Sequence, residues 1–336
     1  MNLQSIKRIF KKKQIAELNN SQRRHILGHY GMRPEKIQVI QQKQRWVVYE
    51  VDDKAILKIT HSSDKSYETL NAISLWQEAM HNQMKEVISI IPSRDGQLSL
   101  KVPHHEGYFT SVMYHRASGE MFNKRNWNPD VVFKVGALTG KLHKTSTNIP
   151  VNKHAHHIPV WHESVVQDIL KYIPDSENYL KDRFMLLLNE IKKAPVTNKN
   201  YGIIHGDIFL GNLIINDNEL NIYDFDDTCI SWFAEDVANV IHFSLLDDRK
   251  KIINNRDFIP HFMNCFWKGY NLHYSMEKEM MRLLPSFLST RAIYLYAYYC
   301  KMGYEKATFP ATVDFFKCIR ELAMNRWEDL DYKMFE

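Results

Sequence analysis

Between Ile204 and Asp227 the chain packs two carboxylates and a carboxamide into a segment that must fold back on itself. His205-Gly206-Asp207 leads, by a spacing of five, to Asn212. Two β-prone runs follow, Leu213-Ile214-Ile215 and Leu220-Asn221-Ile222-Tyr223, and then Asp224-Phe225-Asp226-Asp227. The intervening Asn216-Asp217-Asn218 is turn-forming, so the pattern predicts a hairpin. A hairpin brings its two ends together. Here those ends are Asn212, just ahead of the first strand, and Asp224, just past the second. Gly206 suits a bend from which Asp207 projects. Any fold of this chain must therefore gather these oxygen-bearing side chains at one end of a small hairpin.

That arrangement matches the demands of phosphoryl transfer. The reaction needs a group that accepts or orients the incoming hydroxyl, and oxygen ligands for the magnesium ions on the nucleotide phosphates. Asp207 suits the first role; Asn212 and Asp224 suit the second. Protein kinases place their catalytic-loop asparagine five residues after the catalytic aspartate, and a second metal-binding aspartate at the start of D-F-G. The spacing from 207 to 212 and the pair Asp224-Phe225 reproduce both features. An isolated H-G-D is more often a surface turn, so it is the combination that carries the reading.

With these residues in hand, the chain resembles the aminoglycoside phosphotransferase-like kinases, a family that includes choline kinases, type II homoserine kinases and a stress-response kinase. His205 to Asn212 follows that family's H-G-D-x-x-x-x-N, and Asp224-Phe225-Asp226-Asp227 its D-F-D-D. Trp232, Ala234 and Asp236-Val237-Ala238 resemble its W-x-A and D-L-A elements, and Leu142-His143 a helix ending in L-H. The resemblance spans residues 37 to 310. It implies an α+β, protein-kinase-like two-lobed fold with a small β-rich N-lobe and a larger, mostly helical C-lobe. It also implies that Asp236 holds the catalytic loop through backbone N–H groups. Asp226 has three open roles: metal, substrate, or solvation of the loop.

The amino-terminal third reads as a nucleotide clamp. Trp46 to Val51 and Ala55 to Ile59 are β-rich runs separated by Asp52-Asp53, and Lys58 alternates away from the apolar Leu57 and Ile59. A strand lysine of this kind holds the α- and β-phosphates in kinases. A following helix within Ser63 to Lys85 carries its acidic partner, Glu78, with Glu68 as the second choice. Gln41-Gln42-Lys43-Gln44-Arg45 stands where a glycine-rich covering loop would be and contains no glycine. This argues against a typical protein kinase, and leaves Arg45 or Gln44 as polar contributors. The resemblance further places a purine-binding hinge at Gly107 to Tyr114, with backbone groups around Met113 and His115.

With 336 residues, 44% hydrophobic and 25% charged, the chain sits with globular proteins of about two domains. The expected division is a helical, basic extension over 1–36, an N-lobe over 37–115 and a C-lobe over 116–336. Helices are expected near Pro129 to Thr145, Glu163 to Tyr172, Asn178 to Lys193, Ala234 to Leu246, Asp257 to Asn271, Met276 to Cys300 and Ala311 to Asp329. Asn128-Pro129 provides a capping start for the first of these. A net charge of +5 gives no reason to expect a nucleic-acid partner, and the Lys7 to Lys13 cluster reads as an exposed, solubilising end. No apolar run spans a membrane, since Arg291 interrupts the most apolar carboxyl-terminal helix. Four dispersed cysteines and no leader sequence point to the cytoplasm. His154, His156, His157 and His162 read as a polar loop, with a metal site the weaker alternative.

The expected activity is transfer of the γ-phosphoryl group of ATP or GTP, with Mg2+, to a hydroxyl of a small molecule such as an amino alcohol, a metabolite or an aminoglycoside-type antibiotic. Asp247, Asp248, Glu277 and Glu279 are candidate attractants for a cationic acceptor. The alternatives are a protein-directed kinase of the stress-response type and a catalytically silent nucleotide-binding scaffold.

Overall fold

The computed structural model describes residues 18–33, 36–43, 45–121, 128–149, 155–165, 169–216, 219–246 and 255–335. Lys7 to Lys13, Gln44, His154, Asp217-Asn218 and Asp247-Asp248 lie outside them. The chain divides into two compact units, Met1–Gly119 with Val151–Ile158, and Glu120–Pro150 with Pro159–Glu336.

Among the described residues the first unit begins with helix α1 (Asn20–His29). Its capping box has the Asn19 side chain accepting from the Gln22 N–H, while Gln22 reaches back to the Asn19 N–H. Strands β1 (Ile37–Gln42), β2 (Trp46–Val51) and β3 (Ala55–His61) follow, then helix α2 (Tyr67–Gln83), β4 (Ser99–His104) and β5 (Gly107–His115). The strands form an antiparallel sheet in the order β1-β2-β3-β5-β4. The β2–β3 turn works because Asp52 and Asp53 both adopt positive φ, 50° and 52°, which gives the twist that hairpins favour. Period-two alternation sends Leu57 and Ile59 into a core with Ile26 and Leu27 of α1, leaving Lys58 on the opposite face. Gln41 and Gln42, expected in a loop, instead extend β1 by pairing with Val48 and Val47 after a bulge. β1 can run on because bonding the two backbones in the ladder satisfies groups that a loop would leave to water.

The second unit contains the short strand β6 (Glu120–Met121) and helices α3 (Pro129–Asn148) and α4 (Asn178–Ile191). Next come β7 (Tyr201–Ile204), the hairpin β8 (Leu213–Asn216) and β9 (Glu219–Ile222), and β10 (Cys229–Trp232). Helices α5 (Phe233–Leu246), α6 (Asn255–Tyr270), α7 (Lys278–Lys301) and α8 (Pro310–Met324) complete it. Asn128 caps α3 by accepting the Val131 N–H at 3.0 Å, with Pro129 in its first turn. The core joins Ile204, Phe233, Ile293, Tyr296 and Ile319, drawn from β7, α5, α7 and α8. A β-rich unit followed by a mostly helical one is the expected α+β arrangement.

Two expected helices differ in the structure. Glu163 to Tyr172 gives a π-helical turn at Trp161–Val165 and a 3-10 turn at Leu170–Tyr172. Residues 166–168 lie outside the described residues, and Ile169 beyond them is helical; Trp161, Ile169 and Leu170 all turn into the core. Ala311 to Asp329 ends as an α-helix at Met324, because Arg183 draws the carbonyls of Ala323 and Asn325 into its own hydrogen bonds.

Close crossing of α3 and α6 braces the second unit. A Cβ on Gly269 would stand 1.9 Å from the Phe133 carbonyl oxygen, and one on Gly136 would stand 2.1 Å from that of Phe266. Only hydrogen fits between these backbones. Gly269→Ala is therefore expected to destabilise the protein by about 2 kcal/mol or more, since overpacking must displace main chain. Denaturant titration checks this, and an unchanged midpoint would mean that the two helices do not meet at this residue.

Candidate active site

The segment from His205 to Thr228 is an excursion between two paired strands, with Ile204 of β7 opposite Cys229 of β10. Asp236, in the first turn of α5 just beyond β10, reaches back to this segment. Its Oδ2 accepts the His205 N–H at 3.0 Å and its Oδ1 the Gly206 N–H at 2.8 Å. The side chain is fully buried, with the His143 Nε2 3.4 Å away, and His143 in turn meets the Tyr270 hydroxyl at 2.8 Å. Thus α3, α5 and α6 all converge on the bend. Gly206 turns there with φ +81°, and a Cβ would lie 2.2 Å from the Asp227 carbonyl oxygen. His205 is buried, which lowers its pKa and keeps the ring neutral. Its Nδ1 accepts the Asp207 N–H at 3.2 Å, so Nε2 carries the proton towards the Tyr223 carbonyl at 3.2 Å.

Asp207 projects from this bend with its side chain 22% exposed. Asn212 donates its Nδ2 to the Asp207 carbonyl at 2.9 Å and to Oδ2 at 3.1 Å. Both partners are acceptors, so the amide orientation is fixed by chemistry and the Asn212 Oδ1 faces the other way. Arg291 of α7 donates to the Asp207 Oδ1 at 3.1 Å. Burial pushes Asp207 up to about 7, against the pull of Arg291, and the nearby Asp227 and Asp224 raise it further.

Asn212 and Asp224 are joined through the backbone. The Tyr223 N–H donates to the Asn212 carbonyl at 3.1 Å, extending the β8–β9 ladder by one bond and setting Asp224 beside Asn212. Asp224 itself is left-handed, at φ 62° and ψ 64°, a conformation that few non-glycine residues hold without support from their surroundings. Phe225 beyond it is buried against the His205 ring, with centroids 4.5 Å apart. Among the described residues no three His, Cys, Asp or Glu side chains gather as a ready-made metal centre. Magnesium does not require one, since it binds through one or two carboxylates plus substrate phosphates and water. An amide oxygen not engaged by Asp207, at the same hairpin end as Asp224 and within a group of mutually repelling aspartates, fits such an ion.

In the first unit, Lys58 pairs across the sheet with Val48 and Val112, its Nζ 5.5 Å from the Trp46 ring centre. Glu68 lies 3.6 Å from the Lys101 Nζ, in the first turn of α2. Glu78, half-buried further along, accepts the Ile90 N–H at 3.3 Å. At the expected hinge the Met113 carbonyl accepts the Ile91 N–H at 2.7 Å, and the His115 N–H donates to the Ser89 carbonyl at 3.1 Å. Arg45 donates to the Ser63 carbonyl at 3.0 Å.

Residues 41–252 match the phosphotransferase enzyme family, a stretch that takes in Lys58, Glu78, Asp207, Asn212, Asp224 and Asp236. The chain belongs to this family. Amicoumacin kinase of Bacillus subtilis (strain 168) is 24% identical over 298 residues, covering 87% of this chain and 85% of that one. Among solved structures, amicoumacin kinase hAmiN in complex with AMP-PNP, Ca2+ and Ami superposes with a TM-score of 0.82 at 20% identity, over 100% of both chains. A microcompartment-associated aminopropanol kinase gives 0.70 at 18% identity, over 90% of this chain and 94% of the other. The protein is thus a phosphotransferase with a protein-kinase-like fold.

Sequence reasoning noted Arg291 only as a break in an apolar helix and did not single out Glu235. Arg291 lies against the loop that carries Asp207, and Glu235 against Arg291. Glu235 is buried with neither carboxylate oxygen hydrogen-bonded, and its Oε1 is 3.9 Å from the Arg291 Nη1. A charged residue in an otherwise apolar stretch of helix was the available signal, since a buried arginine needs an anionic partner.

Burial pushes Glu235 up to about 8, with Arg291 opposing. Its folded value therefore lies above its unfolded one, and ionisation in the fold costs stability as pH rises towards about 8. Glu235→Gln does not titrate there. Between pH 5 and pH 9 the variant should gain on the parent by about 4 kcal/mol in denaturant titrations. A constant difference across that range would show that Glu235 ionises as readily folded as unfolded.

Proposed function

We propose that this phosphotransferase moves the γ-phosphoryl group of ATP, or of GTP, to a hydroxyl of a small molecule, with Mg2+ as the cation. The observation that carries this reading is the orientation of Asn212. Its nitrogen is spent on Asp207, which leaves its oxygen as the atom available to a cation, and the Tyr223 N–H bond to the Asn212 carbonyl brings Asp224 to the same end of the hairpin. Asn212 and Asp224 would hold the cation, which when bound supplies charge neutralisation for the transferring phosphoryl group. Asp207 receives or orients the acceptor hydroxyl, its carboxylate held from one side by Asn212 and from the other by Arg291. Burial, with a smaller contribution from Asp227 and Asp224, favours protonation of this carboxylate, which suits a proton acceptor near neutral pH.

Lys58 is assigned to the α- and β-phosphates, with Glu78 as its acidic partner, because Glu68 is engaged by Lys101. A purine contact near Met113 and His115 has to use backbone groups other than the Met113 carbonyl and the His115 N–H, which segment 89–91 occupies. Among the described residues no helix is long and apolar enough to cross a membrane. The four cysteines are dispersed and form no C-x-x-C pair, and with a nucleoside triphosphate as donor we assign the protein to the cytoplasm. Nothing favours a protein substrate or a silent scaffold, since Lys58, Asp207, Asn212 and Asp224 are all present.

The experiment is a screen of the purified protein with ATP and GTP against hydroxyl-bearing metabolites and antibiotics. Amicoumacin heads the panel because the Bacillus relative is named for it. A product heavier by one phosphoryl group, matched by nucleoside diphosphate, is the expected result. Transfer only to added protein would favour the protein-directed alternative.

Two further outcomes come from the separate roles of the carboxylates. Asp207→Asn should keep magnesium-nucleotide binding and lose turnover by on the order of 100-fold or more, because the amide cannot take the proton. Asp224→Asn should weaken binding of the magnesium complex, a neutral ligand having replaced an anionic one. Calorimetry with a non-hydrolysable analogue, with and without magnesium, separates them, and parent-like binding by both would overturn the assignment.

Lys58→Ala should remain folded, since the side chain lies opposite the apolar face, yet lose most phosphoryl transfer. Steady-state kinetics on a variant with parental melting behaviour checks this, and unchanged turnover would remove Lys58 from the phosphates.

A further inference from the structure

Arg291 lies in the middle of α7, among Thr290, Ala292 and Ile293, with its side chain only 6% exposed. Burying a guanidinium is costly unless its charge and its donors are met. Two carboxylates face its charge and two of its donors are bonded, while its Nε is buried without a hydrogen-bond partner among the described residues. Nη2 reaches the Asp207 Oδ1 at 3.1 Å, Nη1 reaches the Gly206 carbonyl at 3.3 Å, and the Glu235 Oε1 stands 3.9 Å from Nη1. The guanidinium is flanked by Phe243 and Tyr294, whose ring centres lie 5.9 Å and 5.7 Å away. One planar fork therefore spans the backbone of one residue and the carboxylate of the next. This couples the course of the loop to the torsion of Asp207.

The opposite side of the same carboxylate is held by Asn212, whose Nδ2 is 3.1 Å from Oδ2. Between them, Arg291 and Asn212 leave Asp207 little rotation. An ordinary packing role would not call for a charged residue at this depth, nor for contact with both Gly206 and Asp207.

We propose that Arg291 is a positioning residue for phosphoryl transfer, holding the Asp207 carboxylate at the angle from which it meets the acceptor hydroxyl, with Glu235 and the two rings holding the guanidinium in turn. The proposal rests on the reading of Asp207 as the group that receives that hydroxyl. Lysine cannot replace Arg291 fully, because one ammonium does not present the two parallel donors of the fork.

The test uses the full chain with Arg291→Lys, Arg291→Gln and Arg291→Ala, each compared with the parent for kcat, nucleotide KM and calorimetric affinity for a magnesium-bound non-hydrolysable nucleotide. Misplacing a reacting group by about 1 Å can cost on the order of 100-fold in rate. A loss of that size in kcat is expected for Arg291→Gln and a smaller one for Arg291→Lys, with nucleotide affinity within about threefold of the parent. Added guanidinium at non-denaturing concentration should restore part of the turnover of Arg291→Ala, an effect that a merely structural role would not produce. Parental kcat in any folded variant overturns the proposal. So does a kcat loss matched by an equal loss of nucleotide affinity, without rescue. If the Gln and Ala variants fail to fold, Arg291→Lys, which keeps the charge and the stem, decides by the same kcat-against-affinity comparison. Asp207→Asn is run alongside. If it keeps parental turnover, the reading of Asp207 itself fails. If it is inactive while the Arg291 variants are parental, only the present proposal falls.

Discussion

A single buried carboxylate organises the site. Asp236 spends both oxygens on the successive N–H groups of His205 and Gly206, and so anchors the loop to the first turn of α5. Two adjacent N–H groups pointing one way require a sharp bend, which the left-handed Gly206 supplies. Once the bend is fixed, Asp207 must project, Asn212 follows on a 3-10 turn, and the β8–β9 hairpin returns the chain to Asp224. His143, Tyr270 and the glycine-lined crossing of α3 and α6 stand behind Asp236. A change far from the chemistry at Gly269 would thus reach the loop through packed backbone.

The site is not the arrangement of lowest energy for these residues. Asp224 occupies a left-handed conformation without being glycine, and Asp207 and Glu235 face one guanidinium in a buried setting. Each feature costs stability where it stands, and the proposed roles of Asp224 as a cation ligand and Asp207 as a proton acceptor would give each a use. The helical surroundings, with α5 and α7 buried along most of their length, offset that cost.

The legible parts of the site were the local ones. The hairpin, its two ends and the bend at Gly206 lie within one short segment, so spacing and turn chemistry were enough to place Asn212 beside Asp224. The alternation that puts Lys58 across from Leu57 and Ile59 is equally local. Arg291 was out of reach because its partner lies 84 residues away and nothing near it in sequence names that partner. Glu235 was hidden by its neighbour Asp236, whose family role drew the attention. The expected hinge does form a strand, β5, but whether its backbone groups are free depends on segment 89–91, whose pairing no side-chain pattern encodes.

The most direct test of these roles is a crystal structure of the protein with Mg2+ and a non-hydrolysable ATP analogue. The expected result is a cation bound by the Asn212 Oδ1 and an Asp224 carboxylate oxygen at about 2.1 Å, completed by phosphate oxygens and water, with Asp207 free of metal and still held by Arg291. A cation bound to Asp207 instead, or a nucleotide seated without contact to Asn212 and Asp224, would contradict it.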